Sequence, residues 1–332
     1  MRITRNVAAA LALLLGAGTA AASEAPVAIG GFVDASYAGN LDLHSDAFGL
    51  DQVELDLTRD LEGKGGLRAD LEWVKDGDDW AVAVEQGYLE LLLPAGTDTR
   101  FTLGRFNAPI GFELLDAPDM YQFSHALVFD HGLPSNLTGA MVATALGERA
   151  DLRAYLVDGW DVNDLGAPGP KTVGGRLGIA LGELGGLGVS GIAGVTADSV
   201  NTDRQVLDVD LTLTPSSTLL VGAEFNHGHL DMDGATADWN GLLVMAHLTL
   251  NDWLGLTARY DWFDDPDGAV FGLTGGETRQ AITLAPTFAL GEGMGALVEL
   301  RVDSSSEDVF TNADGEAKGS TTSVAFEMTF GF

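Results

Sequence analysis

The fold class this sequence predicts is all-β: a transmembrane, antiparallel, up-and-down β-barrel of sixteen strands. Three observations predict it. Apolar and polar side chains alternate with a period of two along most of the 332 residues, the period of a strand and not of a helix. Short connections alternate with longer ones from one end of the chain to the other. The chain also stops on SVAFEMTFGF, residues 323–332, where Val324, Phe326, Met328, Phe330 and Phe332 share one parity.

The first element is not part of that barrel. Arg2 and Arg5 precede an apolar run, Val7–Leu15, and Ala20–Ala22 supply small residues beyond it. This is the pattern of a secretory signal peptide, and the run is shorter than the roughly 20 residues of a membrane-spanning helix. Cleavage is expected after Ala22, dividing the chain into a signal peptide, 1–22, and a single barrel domain, 23–332. The exported chain has no cysteine, and at this length it needs no disulfide to fold. Lys and Arg number 17 against 49 Asp and Glu, for a net charge of −32. That balance excludes nucleic acid as a partner, because phosphates require basic side chains. Mean hydropathy is nevertheless positive, at +0.14, so apolar and acidic residues are both abundant and must be sorted onto different surfaces.

Period-two alternation does the sorting. In 50–58, Val53, Leu55 and Leu57 oppose Gln52, Glu54, Asp56 and Thr58. In 66–75, Leu67, Ala69, Leu71 and Trp73 oppose Arg68, Asp70 and Glu72. The pattern repeats in 204–214, 253–263 and 294–304. Taken in order, the predicted strands are 27–38, 50–58, 66–75, 84–93, 100–106, 136–146, 150–158, 171–182, 187–197, 204–214, 218–228, 240–250, 253–263, 278–290, 294–304 and 320–332. Most have the length a tilted strand needs to cross a bilayer.

Seven connections are short: 59–65, 94–99, 147–149, 183–186, 215–217, 251–252 and 291–293. The other eight, 39–49, 76–83, 107–135, 159–170, 198–203, 229–239, 264–277 and 305–319, are longer on the whole. Tight turns at one end and long loops at the other is the plan of bacterial outer-membrane barrels, and an even strand number leaves both termini at the tight-turn, periplasmic end. Lipid offers no partner to backbone N–H and C=O groups, so a spanning sheet has no free edge. Strand 320–332 must therefore pair with 27–38. Its aromatics, Phe330 and Phe332, fall at the inner interface. Trp73, Trp160 and Trp262 fall at the loop-side ends of strands, Trp239 precedes a returning strand on that side, and Trp253 follows a tight turn. Such belts are where tryptophan is favoured; Trp80, in a predicted loop, stands outside the pattern.

The longest connection, Phe106–Gly139, carries a motif. Gly104-Arg105-Phe106-Asn107-Ala108-Pro109-Ile110-Gly111-Phe112-Glu113, then Tyr121–Ser124 and Leu137-Thr138-Gly139, resemble the beta-barrel porin-2 (OmpL-like) family. The resemblance implies an outer-membrane channel and specifies no solute. In general porins the third loop folds into the barrel, so 107–135 is expected to enter the lumen as a constriction, with Arg105, Glu113, Asp116, Asp119 and Tyr121 lining it; an external cap is the alternative. Pro109, Pro118 and Pro134 prevent the segment from forming another hairpin. The terminal aromatic resembles the sorting mark read by the barrel-assembly machinery.

The polar parity supplies the expected wall charges: Arg68, Asp70, Glu72, Arg153, Arg176, Arg259, Asp261, Glu299 and Arg301, among others. Most are read as paired wall residues, and the carboxylate excess leans toward cations. Expected partners are outer-membrane lipid and lipopolysaccharide, the assembly machinery, small hydrophilic solutes and, in a homotrimer, further copies of the chain. No cofactor is expected, and no loop has a complete calcium-ligand spacing. The histidines, His44, His125, His131, His227, His229 and His247, form no catalytic pattern with a nucleophile and an acid, so the expectation is a porin and not an enzyme. The alternative is a closed or plugged barrel with a structural, adhesin or hydrolase role.

Overall fold

The computed structural model describes residues 26–76, 79–95, 98–162, 170–196, 199–232 and 234–332. The expected signal peptide lies outside these residues. The strands are β1 (Ala28–Asn40), β2 (Ser45–Leu61), β3 (Gly65–Asp76), β4 (Asp79–Leu93), β5 (Thr99–Asn107), β6 (Asn136–Ala145), β7 (Ala150–Val157), β8 (Thr172–Ala180), β9 (Gly185–Thr196), β10 (Ser199–Ser216), β11 (Leu219–Met232), β12 (Ala235–Asn251), β13 (Leu254–Asp265), β14 (Glu277–Gly291), β15 (Met294–Ser305), β16 (Phe310–Thr311), β17 (Ala317–Lys318) and β18 (Ser320–Gly331). β1–β15 and β18 close one antiparallel barrel of sixteen strands, while β16 and β17 form a separate ribbon. The seal is β18 on β1, running from Phe32 opposite Gly331 to Asn40 opposite Ser323. Phe332 itself is tied in, its N–H donating to the Gly31 carbonyl at 3.0 Å.

Burial is inside-out relative to a water-soluble sheet. Along β14, Ile282 is 57 % exposed while its neighbour Thr283 is fully buried. On β15, Val298, Leu300 and Val302 are exposed while Glu299 and Arg301 are buried. The apolar parity thus faces out and the charged parity faces the interior, which is the arrangement a bilayer requires.

The ladders run further than the alternation. The predicted loops 39–49, 198–203 and 229–239 are largely strand: β1 and β2 continue to a turn at 41–44, and β11 and β12 pair up to Met232 opposite Ala235. Beyond the apolar band no lipid demands alternation, so the period fades while the hydrogen bonds continue. The longer connections that remain are 108–135, 158–171, 266–276 and 306–319. The last carries the β16–β17 ribbon and is tied to the β1–β2 turn by the Lys318–Asp42 ion pair.

Two bulges alter what reaches the interior. Between β1 and β2 the register shifts at Asp34/Ala35, so that Asp51 is inserted beside Gln52. Between β3 and β4 it shifts at Asp70/Leu71, inserting Glu85. Glu85 and Gln86 are consecutive, yet both are buried, while Val84 and Leu89 on either side face out. One extra residue lets two successive side chains point the same way.

Tryptophan positions need correcting. Trp160 and Trp239 are buried in an interior apolar cluster with Phe106, Leu137, Tyr155 and Phe263, so they are not belt residues. The Arg204 guanidinium lies over both rings, 4.6 and 5.7 Å from their centroids. Trp80 is instead on β4, opposite Lys75 and exposed.

Candidate functional site

The segment 108–135 between β5 and β6 contains one 3₁₀ turn, Ala117–Asp119, and one short helix, Leu127–Gly132. Its backbone is bound by interior-facing side chains from four separate strands. Glu224 of β11 accepts the Phe112 N–H at 2.7 Å. Gln52 of β2 accepts the Ala117 N–H at 3.0 Å and reaches the Leu115 carbonyl at 3.5 Å. Glu299 of β15 accepts from Phe123 and Ser124 at 2.9 and 3.1 Å. Asp261 of β13 accepts the Leu127 N–H at 3.1 Å. A segment with little secondary structure of its own must place its buried backbone groups on side chains, and the wall provides them.

Arginine does the same for the carbonyls. Arg259 of β13 donates to the Ser124 carbonyl at 2.6 Å and the His125 carbonyl at 3.0 Å, and to Glu113 at 2.8 Å and Asp261 at 3.1 Å. Arg301 of β15 also reaches the His125 carbonyl, at 2.6 Å, while pairing with Asp303. Glu113 closes the arrangement by accepting the Ala126 N–H at 2.7 Å. Arg259, Asp261, Glu299 and Arg301 are therefore brought together around the Ser124–His125 turn and buried beneath it.

Apolar contacts complete the docking. Ala126 and Val128 pack on Leu243 and Met245 of β12, with Phe112, Tyr121 and Leu220 around them. Gly222 of β11 lies directly under the Phe112 ring, which leaves no room for a Cβ there. Leu243 and Met245 share the interior parity with His247, whose ring lies 4.3 Å from that of Tyr121. The sequence held a signal for this patch: residues 242–246 are apolar on both parities, the mark of a strand covered on both faces. The helix residue His131 sits edge-on against Phe263 and Phe271; burial holds its pKa below the usual imidazole value.

On the opposite side β2, β3 and β4 form an acidic wall. Glu54, Asp56, Asp70, Glu72 and Glu85 face inward there, and Asp116 of the segment comes against them. Arg68 pairs with Asp70 at 2.7 Å and approaches Asp56 at 3.7 Å, while Gln86 donates to Asp70 at 2.6 Å. Arg105 donates to Asn136 at 3.0 Å, and Asn107 donates to Glu85 at 3.0 Å. Asp116 is pushed up to about 7, first by burial and then by the neighbouring Glu85 and Asp119 charges. Asp119 itself is exposed, in the 3₁₀ turn. Glu85 and Asp51 are functional candidates that strict alternation hides, because bulges deliver them.

Arg153 and Arg176 stand on a third stretch of wall, β7 and β8. They line one side of a cavity of about 350 Å³ whose other sides include Tyr88, Glu90 and Glu113. Arg176 is neutralised by Asp210 and donates to the Ser190 hydroxyl at 3.1 Å; Arg153 lies 3.8 Å from Asp151. The girdle candidates stay on the outer face. Trp253 stacks on Phe288 at 6.1 Å and Phe330 on Phe332 at 6.4 Å, and Trp73 and Trp262 share the apolar parities of β3 and β13. His227 and His229 lie on β11, bonded to Asn240 and Asp238, and do not meet His125 or His131.

A closed sixteen-stranded barrel, oily outside and charged within, is the architecture of an outer-membrane porin. The sequence model of the family described as "Putative beta-barrel porin-2, OmpL-like" matches residues 60–332, and the chain belongs to that family. Among solved structures, the outer-membrane channel DcaP of Acinetobacter baumannii superposes with a TM-score of 0.69 at 12 % identity, over 95 % of this chain and 100 % of that one. OmpT of Vibrio cholerae in its trimer form gives 0.66 at 13 % identity, over 93 % and 100 %. An anion-selective porin from Comamonas acidovorans gives 0.66 at 16 % identity, again over 93 % and 100 %. These likenesses establish a shared fold. No curated protein matches the sequence.

Proposed function

We propose that this chain is a passive diffusion channel for small hydrophilic solutes and ions, leaning toward cations and narrowed by the segment 108–135. The observation that carries the reading is the docking of that segment on interior-facing side chains of β2, β11, β13 and β15. A chain held from several sides of a ring reduces the ring's free cross-section. The cation preference rests on the acidic wall, where bulges add Asp51 and Glu85 and Arg68 is already paired with Asp70. Rings of carboxylates favour cations by sign. Glu113, Asp116, Asp119, Tyr121 and Arg105 are the proposed constriction residues, and the signal peptide 1–22 is proposed to be removed on export. The channel needs no catalytic step.

Planar-bilayer recording tests this. Deleting 113–125 should raise single-channel conductance, and the reversal potential in a KCl gradient should report cation preference. Unchanged conductance would remove the constriction, and anion preference would remove the selectivity. One observation favours a second reading, a plugged barrel: the interior cluster of Phe106, Tyr155, Trp160, Trp239 and Phe263. Absence of any conductance would support it. A homotrimer is the proposed assembly. Its contact face is assigned to the outer hollow over Gly175, Gly191 and Ala193, bordered by Leu207 and His227; inter-subunit cross-linking from position 207 tests it.

A further inference from the structure

Within the acidic wall, three carboxylates stand apart from the rest. One oxygen each from Glu54, Glu85 and Asp116 lies within 4.8 Å of the others. Glu54 is 2 % exposed, and neither of its carboxylate oxygens accepts a hydrogen bond from a described protein group. Asp116 Oδ1 is likewise buried and unpartnered. Glu85 has Asn107 on one oxygen, Oε1. Of the basic side chains nearby, Arg68 pairs with Asp70, and Arg105, which donates to Asn136, sets its charge toward Glu85, so neither is paired with Glu54 or Asp116. A buried carboxylate without a partner is costly, and three converging on one point repel one another as well.

We infer that Glu54, Glu85 and Asp116 form a divalent-cation site of the calcium type, which ties the segment 108–135 to the β2–β4 wall. The donor set is all oxygen, which suits a hard cation and not a thiophilic or imidazole-seeking one. The spacing fits. Calcium–oxygen bonds run about 2.3–2.6 Å, so two ligands on opposite sides of one ion lie about 4.6–5.2 Å apart. A second group, Glu54, Asp56 and Asp70, has the same spacing, but Asp70 is already matched by Arg68 and Gln86. The geometry also explains the position of Asp116. Gln52 grips the chain on either side of it, at Leu115 and Ala117, and the bulge at Glu85 turns the third carboxylate inward. Barrel wall and segment thus each contribute ligands, and the ion closes the contact between them. The site does not depend on whether the barrel conducts.

The test is isothermal titration of the chelator-treated barrel in detergent with CaCl₂, beside thermal unfolding with and without calcium. Wild type, Glu54→Gln, Asp116→Asn and, as a control, Asp314→Asn in the exposed 306–319 connection are compared; Asp116→Asn lies outside every barrel strand, so it leaves the ladder intact. The many surface carboxylates give a weak background common to all four proteins. The expected result is one saturable equivalent in wild type and Asp314→Asn, with a calcium-dependent rise in Tm, and loss of both in Glu54→Gln and Asp116→Asn. Binding in Glu54→Gln and Asp116→Asn equal to wild type, or no saturable binding in wild type, would overturn the site and leave shared protons as the means of relieving the carboxylates.

Discussion

Replacing Arg259 with methionine keeps much of the side-chain volume and removes one charge from beneath the docked segment. The loss is concentrated. Four hydrogen bonds of 3.1 Å or less disappear, to Glu113, Asp261, Ser124 and His125, and the two carboxylates stay in a site where both side chains are nearly or fully buried. Removing one partner of a buried ion pair costs about 3–5 kcal/mol. Arg301, 3.9 Å from Asp261, offsets part of this and leaves a loss of about 3 kcal/mol. At about 1.4 kcal/mol per decade, the undocked population of 108–135 rises roughly a hundredfold. The barrel ladder is untouched, because Arg259 contributes only its side chain to the contact. The segment has no Lys or Arg but carries Phe112, Tyr121, Phe123 and Phe129, so chymotrypsin reads its exposure. Cleavage tracks the open population when reclosing is fast. Arg259→Met should therefore be cut within the segment far faster than wild type, with noisier and larger single-channel currents. A variant as protected and as quiet as wild type would refute the reasoning.

Three further outcomes follow from the same geometry. Leu284→Arg puts a charge on the outer face of β14 and should cost about 2–4 kcal/mol if that position lies near the bilayer midplane, read as reduced folding yield into lipid vesicles; a variant that inserts as readily as wild type would contradict the assigned face. His131 has a pKa lowered by burial, so below its ordinary value the undocked segment takes up a proton that the docked one refuses. Docking is then fully stable above about pH 6.5 and weakens as pH falls, and His131→Phe should remove that part of the acid sensitivity in the chymotrypsin assay. Deleting Phe332 removes its hydrogen bond to Gly31 and its stacking on Phe330, and should lower the amount of assembled barrel in the outer membrane; unaltered assembly would separate the terminal aromatic from sorting.

The strands were legible because lipid imposes a rule on each of them separately. Ile282 and Leu284 must be apolar whatever their neighbours do, so period two shows in a single sequence. What lies outside the lipid band was not legible in that way: residues 45–49 form strand through ladder hydrogen bonds, without alternating burial to announce them. Bulges defeat the period locally, which is why Glu85 and Asp51 were missed. The docking contacts were hidden for another reason. Glu299 and Arg259 look like ordinary wall charges until a segment more than a hundred residues away in sequence brings its backbone to them. The motif around Gly104–Glu113 pointed to the right segment, since Asn107, Gly111, Phe112 and Glu113 all take part in holding it. It did not reveal which wall residues answer them.

The central claim is that apolar side chains meet lipid while alternate positions border enclosed water. The chain has no cysteine, so single cysteines at 88, 89, 90 and 91 on β4 report on it directly. Tyr88 and Glu90 line the interior cavity and Leu89 and Leu91 are exposed outside. In lipid vesicles a charged, membrane-impermeant thiol reagent should modify positions 88 and 90, and a fluorophore at 89 or 91 should be quenched by lipid-phase quenchers. Reaction at all four positions alike, or the reverse alternation, would contradict the account.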